Sequence, residues 1–195
     1  KPMTDEQTSA FYSPRRQGSG AVDIEAAMNS GAVLYSPGLS KPKLSLGDDK
    51  LKTGVYTMSF VVKNFSDTPL QYAASATVLT EVANNETVTY QTDVYDESTG
   101  QYQTAELAEK FMSGRSMNIT PFCSVTISDG GNITVPAGEC KTVTVTVAVS
   151  SVIKNYMDAN FENGIYVDGF IQLHGGSATS DLSIPYLAFY GDWTQ

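Results

Sequence analysis

The chain has 195 residues, 41% of them hydrophobic, enough for a packed core in one large or two small domains. Twelve Lys and Arg against 21 Asp and Glu leave a formal charge of -9, which argues against nucleic acid as a partner. No run reaches the roughly 18 apolar residues of a membrane span. Lys1-Pro2-Met3-Thr4-Asp5-Glu6 does not begin a signal peptide, so any export signal or wall anchor is expected outside this sequence.

In chain order, Ser13-Pro14-Arg15-Arg16-Gln17-Gly18-Ser19-Gly20 places a proline, a basic pair and a G-x-G turn before good helix formers over 22–28. Asp23 is a candidate cap. The helix has an apolar side of Val22, Ala26 and Ala27 but is too short to persist alone in water, so it needs a surface to pack on. Gly18-Ser19-Gly20 reads as a tight turn, since a dinucleotide fingerprint would need a further glycine where Asp23 stands. Asn29-Ser30-Gly31 stops the helix, and Pro37, Gly38 and Pro42 mark an extended linker at a domain boundary.

From Lys43 the period changes to two. Strands are expected around Leu44–Leu46, over 55–64 and over 70–80 after a turn at 64–69, then over 87–95 across an Asn84-Asn85 hairpin turn. Residues 96–115 are polar, with 105–112 either a helical turn or a short irregular strand. Further strands follow at 123–128 and 132–135, and valine and threonine then alternate strictly through 142–147, giving one apolar and one hydroxyl-bearing face. Residues 151–161 break that rhythm and suit a short helix across one end of the sheets, before a final strand pair at 166–173 and 182–189. The pattern predicts an all-β fold: an immunoglobulin- or fibronectin-III-like antiparallel β-sandwich of about seven to nine strands, with a short N-terminal helix and another near 152–161.

Chemistry-bearing residues are sparse. His174 is the sole histidine, placed before Gly175-Gly176 at a strand-to-strand tip, where a solvated turn is favoured over a catalytic role. Cys123 and Cys140 each stand near a strand start; they form either a disulfide or two buried thiols. Asp48-Asp49 and the set Asp93, Asp96, Glu97 are candidate calcium ligands, but neither completes a calcium loop, so solvated turns are favoured and no cofactor is expected. Tyr186, Phe189, Tyr190 and Trp193 close the chain with aromatic residues that would suit saccharide binding or, preferably, packing, in a strand buried on both sides or lodged between two domains. Pro185 belongs at an edge or bulge there. Arg15 and Arg16 are either interdomain ion-pair partners or exposed loop charges.

Arg16-Gln17-Gly18-Ser19-Gly20-Ala21-Val22-Asp23-Ile24-Glu25-Ala26-Ala27 resembles the closing helix of subtilisin-like serine protease domains, in the form seen in the large cell-envelope lactocepin and C5a-peptidase type. Val167-Asp168-Gly169-Phe170-Ile171 and the segment 182–193 resemble the last two strands of the domain that follows the protease in that family. Between them the likeness is one of rhythm, as where Pro136-Ala137-Gly138 leads into 142–147. Ser19 departs from the family's usual alanine, and the polar stretch 96–115 looks like an insertion that carries specificity.

The resemblance implies a protease-domain tail over 1–30 and a fibronectin-III-like domain over 31–195. Its catalytic Asp, His and Ser would precede Lys1, so no triad residue falls in this chain. The whole would be a secreted serine endopeptidase of a bacterial cell envelope or wall. This module's partners would be its own upstream protease domain and the protein or peptide substrates. The alternatives are a free-standing adhesive or carbohydrate-binding sandwich, and a hydrolase that uses His174.

Overall fold

The computed structural model describes residues 1–36, 38 and 42–194, with the side chains of 85–90 and 107–112 left undescribed. The expected linker from Pro37 to Pro42 therefore falls largely outside the described residues. Two short helices, α1 (Pro14–Gln17) and α2 (Ile24–Met28), precede the strands β1 (Ala32–Tyr35), β2 (Leu44–Asp49), β3 (Val55–Asn64), β4 (Leu70–Asp96) and β5 (Gln101–Asn118). Then come β6 (Cys123–Ile127), β7 (Asn132–Val135), β8 (Cys140–Val149), helix α3 (Ser151–Asn160), β9 (Gly164–His174) and β10 (Leu182–Gly191). The sequence did not announce α1, whose single turn starts at the proline.

The strands form a two-sheet sandwich, ordered β1-β3-β8-β6 in one sheet and β2-β10-β9-β4-β5 in the other, with β7 also on β4. The valine–threonine alternation of β8 does what its period requires. Val143, Val145 and Val147 are fully buried with Phe60 and Val62 of β3. On the opposite face, hydroxyl pairs Thr57–Thr146 and Ser59–Thr144 meet at 3.1 and 3.0 Å. From the second sheet Val167, Ile171, Leu173, Ile184, Tyr186 and Tyr190 complete the core. Helix α3 closes one end through Ile153 and Met157.

The outermost strand β2 runs parallel to β10, although the chain's other pairings are antiparallel among the described residues. Gly169 is obligatory in β9. Its φ is 154°, and a Cβ there would lie 1.9 Å from the Thr77 carbonyl oxygen and 3.0 Å from the Tyr186 hydroxyl.

Two expectations require correction. Asn84-Asn85 makes no turn: β4 runs on to Asp96, and the hairpin closes through 97–100 instead. The helical-turn alternative for 105–112 is likewise replaced by β5, paired to β4 through Thr92↔Ala105 and Tyr90↔Leu107. Pairing of β4 to β9 ends at Leu79↔Asp168, so beyond that point β4 and β5 form a two-stranded arm. Register slips between Glu81 and Ala83 at its root, a bulge whose freed groups are taken by one side chain. The Tyr156 hydroxyl of α3 accepts from the Ala83 N–H at 2.7 Å and donates to the Glu81 carbonyl at 3.1 Å.

Candidate functional site at the N-terminal docking junction

Alternation along β9 sends Val167, Ile171 and Leu173 inward, so Tyr166, Asp168, Phe170, Gln172 and His174 face outward. At this outer face Asp168 and Phe170 are nonetheless buried, and so is Leu79 of β4, because the N-terminal segment lies over them. Phe11 meets Phe170 edge-on with ring centroids 5.8 Å apart.

The polar centre of this junction is built by the first turn of α1. Ser13 is the N-cap, its Oγ accepting from the Arg15 N–H at 3.1 Å, with Pro14 pre-set at the first helical position. Gly18, at φ 62°, ends the turn and returns its N–H to the Pro14 carbonyl at 2.8 Å. The cap turns Arg15 inward and Arg16 outward. Arg15 Nε donates to Asp168 Oδ2 at 3.1 Å, and Nη2 donates to Glu81 Oε2 at 2.7 Å. Its guanidinium carbon lies 4.3 Å from the Tyr166 ring centroid. The Ser13 hydroxyl donates to the same Asp168 oxygen.

One guanidinium thus faces two carboxylates. Burial raises the pKa of Asp168, the Ser13 and Arg15 contacts pull it down without cancelling that rise, and Glu81 adds repulsion. Burial works against the charge of Arg15, but Glu81 and Asp168 outweigh it, so its pKa is raised. Asp168 Oδ1 is buried with no hydrogen-bond partner among the described residues. This arrangement contains no activated nucleophile: Ser13 is buried and its hydroxyl proton is committed to Asp168. Chemically it is a clasp, with Arg15 joining the N-terminal segment to β9 and to the root of the arm.

The other predicted residues divide sharply. Arg16 donates to the Gly114 carbonyl of β5 and lies 5.8 Å from the Tyr12 ring. Tyr186 and Tyr190 are core residues, 1% and 2% exposed, whose hydroxyls donate to the Thr77 carbonyl and to Asp158 at 3.1 and 3.2 Å. Phe189, Tyr166 and Trp193 form an aromatic cluster outside the core, with Phe189 and Trp193 centroids 5.2 Å apart and Trp193 62% exposed. A groove of about 340 Å3 runs from Pro14 and Arg15 to Leu44, Pro185 and Leu187.

Both alternatives are overturned: Cys123 and Cys140 are free thiols, and Cys140 is exposed where Cys123 is half-buried. Cys123 pairs with Val149 at one end of β8, while Cys140 begins β8 at the other. Nine residues of strand separate those ends by roughly 30 Å, far beyond the ~7 Å reach of a bridge. Burial pushes the Cys123 thiol up to about 11. Of the candidate calcium ligands, Asp48, Asp49, Asp93 and Asp96 accept local hydrogen bonds. Asp49 accepts from Thr53 and from the Gly54 N–H, Asp48 from the Trp193 N–H, and Asp96 from Ser98 and Gln103.

His174 stands in a relay that sequence spacing did not reveal. Its Nδ1 is 3.2 Å from Asp181 Oδ2 and its Nε2 is 3.3 Å from Ser75 Oγ. The order matches a hydrolytic triad. Ser75, however, lies within the flat β4–β9 ladder opposite Gln172, and the nearby Gly175 N–H is spent on Asp181 at 3.0 Å. Through these bonds the relay ties the β9–β10 turn to the sheet.

Helix α2 is the counterpart of the clasp. Asp23 caps it by accepting from the Ala26 N–H at 2.9 Å, yet Val22, Ile24 and Met28 are 86%, 69% and 82% exposed. Two large apolar side chains on α2, with Val22 just before its cap, form an exposed apolar surface.

The chain has relatives among known proteins. The chain is 31% identical to a C5a peptidase of Streptococcus pyogenes serotype M1 over 98% of its own length, spanning 13% of that protein. It is 27% identical to the PI-type proteinase of Lactococcus lactis subsp. cremoris over its full length, spanning 9% of that protein. Among solved structures, the ASH / PapD-like domain of human CEP192 superposes with a TM-score of 0.43 and 9% identity, covering 83% of this chain and 84% of that one. The chain therefore corresponds to a small region of much longer peptidases. No helix among the described residues is long and apolar enough to cross a membrane. Residues 45–187 match the family described as the Fn3-like domain, and since they make up most of the chain, it belongs to the Fn3-like domain family.

Proposed function

We propose that this chain is the noncatalytic Fn3-like module of a secreted, cell-wall-associated subtilisin-like serine endopeptidase of a bacterium, together with the tail of the catalytic domain over residues 1–30. The observation that carries the reading is the split character of that tail. Its first part is clasped to the sandwich by Arg15, while the apolar residues of α2 turn away into solvent. A segment with one side held here and the other bare is a natural joint between this sandwich and a domain that covers α2. Likeness to two peptidases along the length of this chain supports a protease domain as that neighbour. The module's role is to cover apolar surface of the catalytic domain and to fix its orientation relative to the sandwich.

The test is the coding sequence ahead of Lys1. An Asp, a His and a G-T-S-x-A-x-P segment in that order are expected, and an unrelated domain there would overturn the reading. A protein experiment complements it. In the longer protein, Ile24→Ser with Met28→Ser should lower the melting temperature of the catalytic domain, while in this chain alone the pair should change stability by less than about 1 kcal/mol.

A further inference from the structure

The arm formed by β4 and β5 is the part of the molecule with the least reason to exist as an isolated structure. Two strands alone are marginally stable in water. Yet beyond Leu79 neither strand is paired on its outer side among the described residues, and β5 is the terminal strand of its sheet. Natural sheets blunt such edges with proline, lysine or a covering element. Here β5 contains no proline, its two cations Lys110 and Arg115 both lie in the half nearer the root, and the tip stretch Gln91–Glu106 contains no lysine or arginine.

What that stretch does contain is directional. Asp93, Asp96, Glu97 and Glu106 give it four carboxylates and no compensating cation. Tyr95 and Tyr102 stand opposite each other in register, with ring centroids 5.3 Å apart and exposures of 52% and 73%. The tip is internally braced, since Asp96 accepts from the Ser98 N–H at 2.8 Å and from Gln103 at 2.9 Å, and Thr104 donates to Asp93 at 3.0 Å. The root is fixed by Tyr156 across the bulge and by Arg15 on Glu81, the same arginine that clasps the N-terminal segment.

The geometry points to the outer edge of β5 as a docking strand for an extended, lysine- and arginine-rich segment of polypeptide. Main-chain hydrogen bonds would add it to the sheet, the carboxylates would select its charge, and the tyrosine pair would receive its cations. This rests on the reading above and narrows it, because it names cationic polypeptide as the substrate class that the module holds for its protease. Arg15 then links the captured segment to the catalytic domain through one side chain.

The experiment is fluorescence anisotropy on the 195-residue chain with a labelled twelve-residue peptide of alternating Lys and Val. The same peptide with Glu for Lys, and one N-methylated at alternate residues, serve as controls. The Lys peptide is expected to bind at least about tenfold more tightly than either, with affinity falling as salt rises. Asp93→Asn with Glu97→Gln, and separately Tyr102→Ala, should each weaken it severalfold, all three positions being on the arm and away from the core. Asp67→Asn with Glu162→Gln, exposed acids elsewhere, should leave it unchanged.

Equal binding by the N-methylated peptide, or equal weakening by the remote pair, would overturn the inference. So would an absence of Lys-peptide binding. Because this assay needs no catalytic domain, its failure would leave the joint at α2 standing, and failure of the joint would leave peptide capture standing.

Discussion

The two outer faces of the sandwich are built from the same period-two grammar but end in opposite environments. On the four-stranded sheet the outward positions of β3 and β8 hold threonine and serine, paired hydroxyl to hydroxyl in water. On the six-stranded sheet the outward positions of β4 and β9 hold Leu79, Phe170, Asp168 and Glu81, all buried beneath the N-terminal segment. An outward position that is apolar or charged in a buried strand is therefore the mark of a third layer. A hydroxyl ladder is the mark of a face that has none.

Phe170→Ala should break this comparison most severely. It empties the space shared by Phe11 and the sheet, and a loss of about 4 kcal/mol is expected in urea denaturation; a loss near zero would mean that the layer does not seal the face. Next comes Arg15→Ala, which leaves Asp168 and Glu81 facing each other without a cation. It should cost about 3 kcal/mol and increase protease nicking before Gly18.

The third prediction concerns pH. The carboxyl of Asp168 has a raised pKa in the folded state, so the folded protein holds that proton more tightly than the unfolded chain does. Its contribution is fully present below the unfolded value and is lost as pH rises through the folded one. The stability of the wild-type protein relative to Asp168→Asn should accordingly grow as pH falls from 7 toward 4. A difference that shrinks over that range would reverse the assignment.

On the bare face, Thr146→Val should change stability by only about 0.5 kcal/mol, because the remaining Thr57 hydroxyl can turn to water. The smallest perturbation is chemical. Iodoacetamide at pH 8 should label the exposed Cys140 first and the half-buried Cys123 slowly, since its thiol is pushed up to about 11, and mass spectrometry would read one addition before two.

These contrasts show why parts of the molecule were legible in the sequence. The alternation through 142–147, the short helix after Ser150 and the last strand pair are written locally, in period and composition, and the structure has them where the pattern puts them. The uninterrupted course of β4 through Asn84-Asn85 was not legible, because what supports the bulge there is the hydroxyl of Tyr156, more than seventy residues later. The real turn did leave a signal, in Asp96-Glu97-Ser98-Thr99-Gly100, an acidic cap followed by glycine at φ 68°.

At the site, Arg15 was singled out but Ser13, Glu81, Tyr166 and Asp168 were not. Asp168 was the readable one, a lone charge inside the apolar run Val167–Ile171 that no buried strand would keep without a partner. For Tyr186 and Tyr190 the sequence left burial on both sides of the strand and an interdomain position open, because an aromatic strand suits both, and the inward register of β10 decides for the core.

The parallel pairing of β2 with β10 has a mechanical consequence. Tyr186 lies opposite Leu44 and Tyr190 opposite Asp49, so the start of β2 and the end of β10 are at opposite ends of one ladder. Tension applied between those points slides the two strands past each other and loads the cross-strand bonds together, whereas an antiparallel pair pulled at its adjacent ends opens one bond at a time. That makes the β2–β10 seam a clamp against a pull along its length, and a single-molecule pull applied across it should show one high rupture peak that falls when the seam is broken by Ser45→Pro.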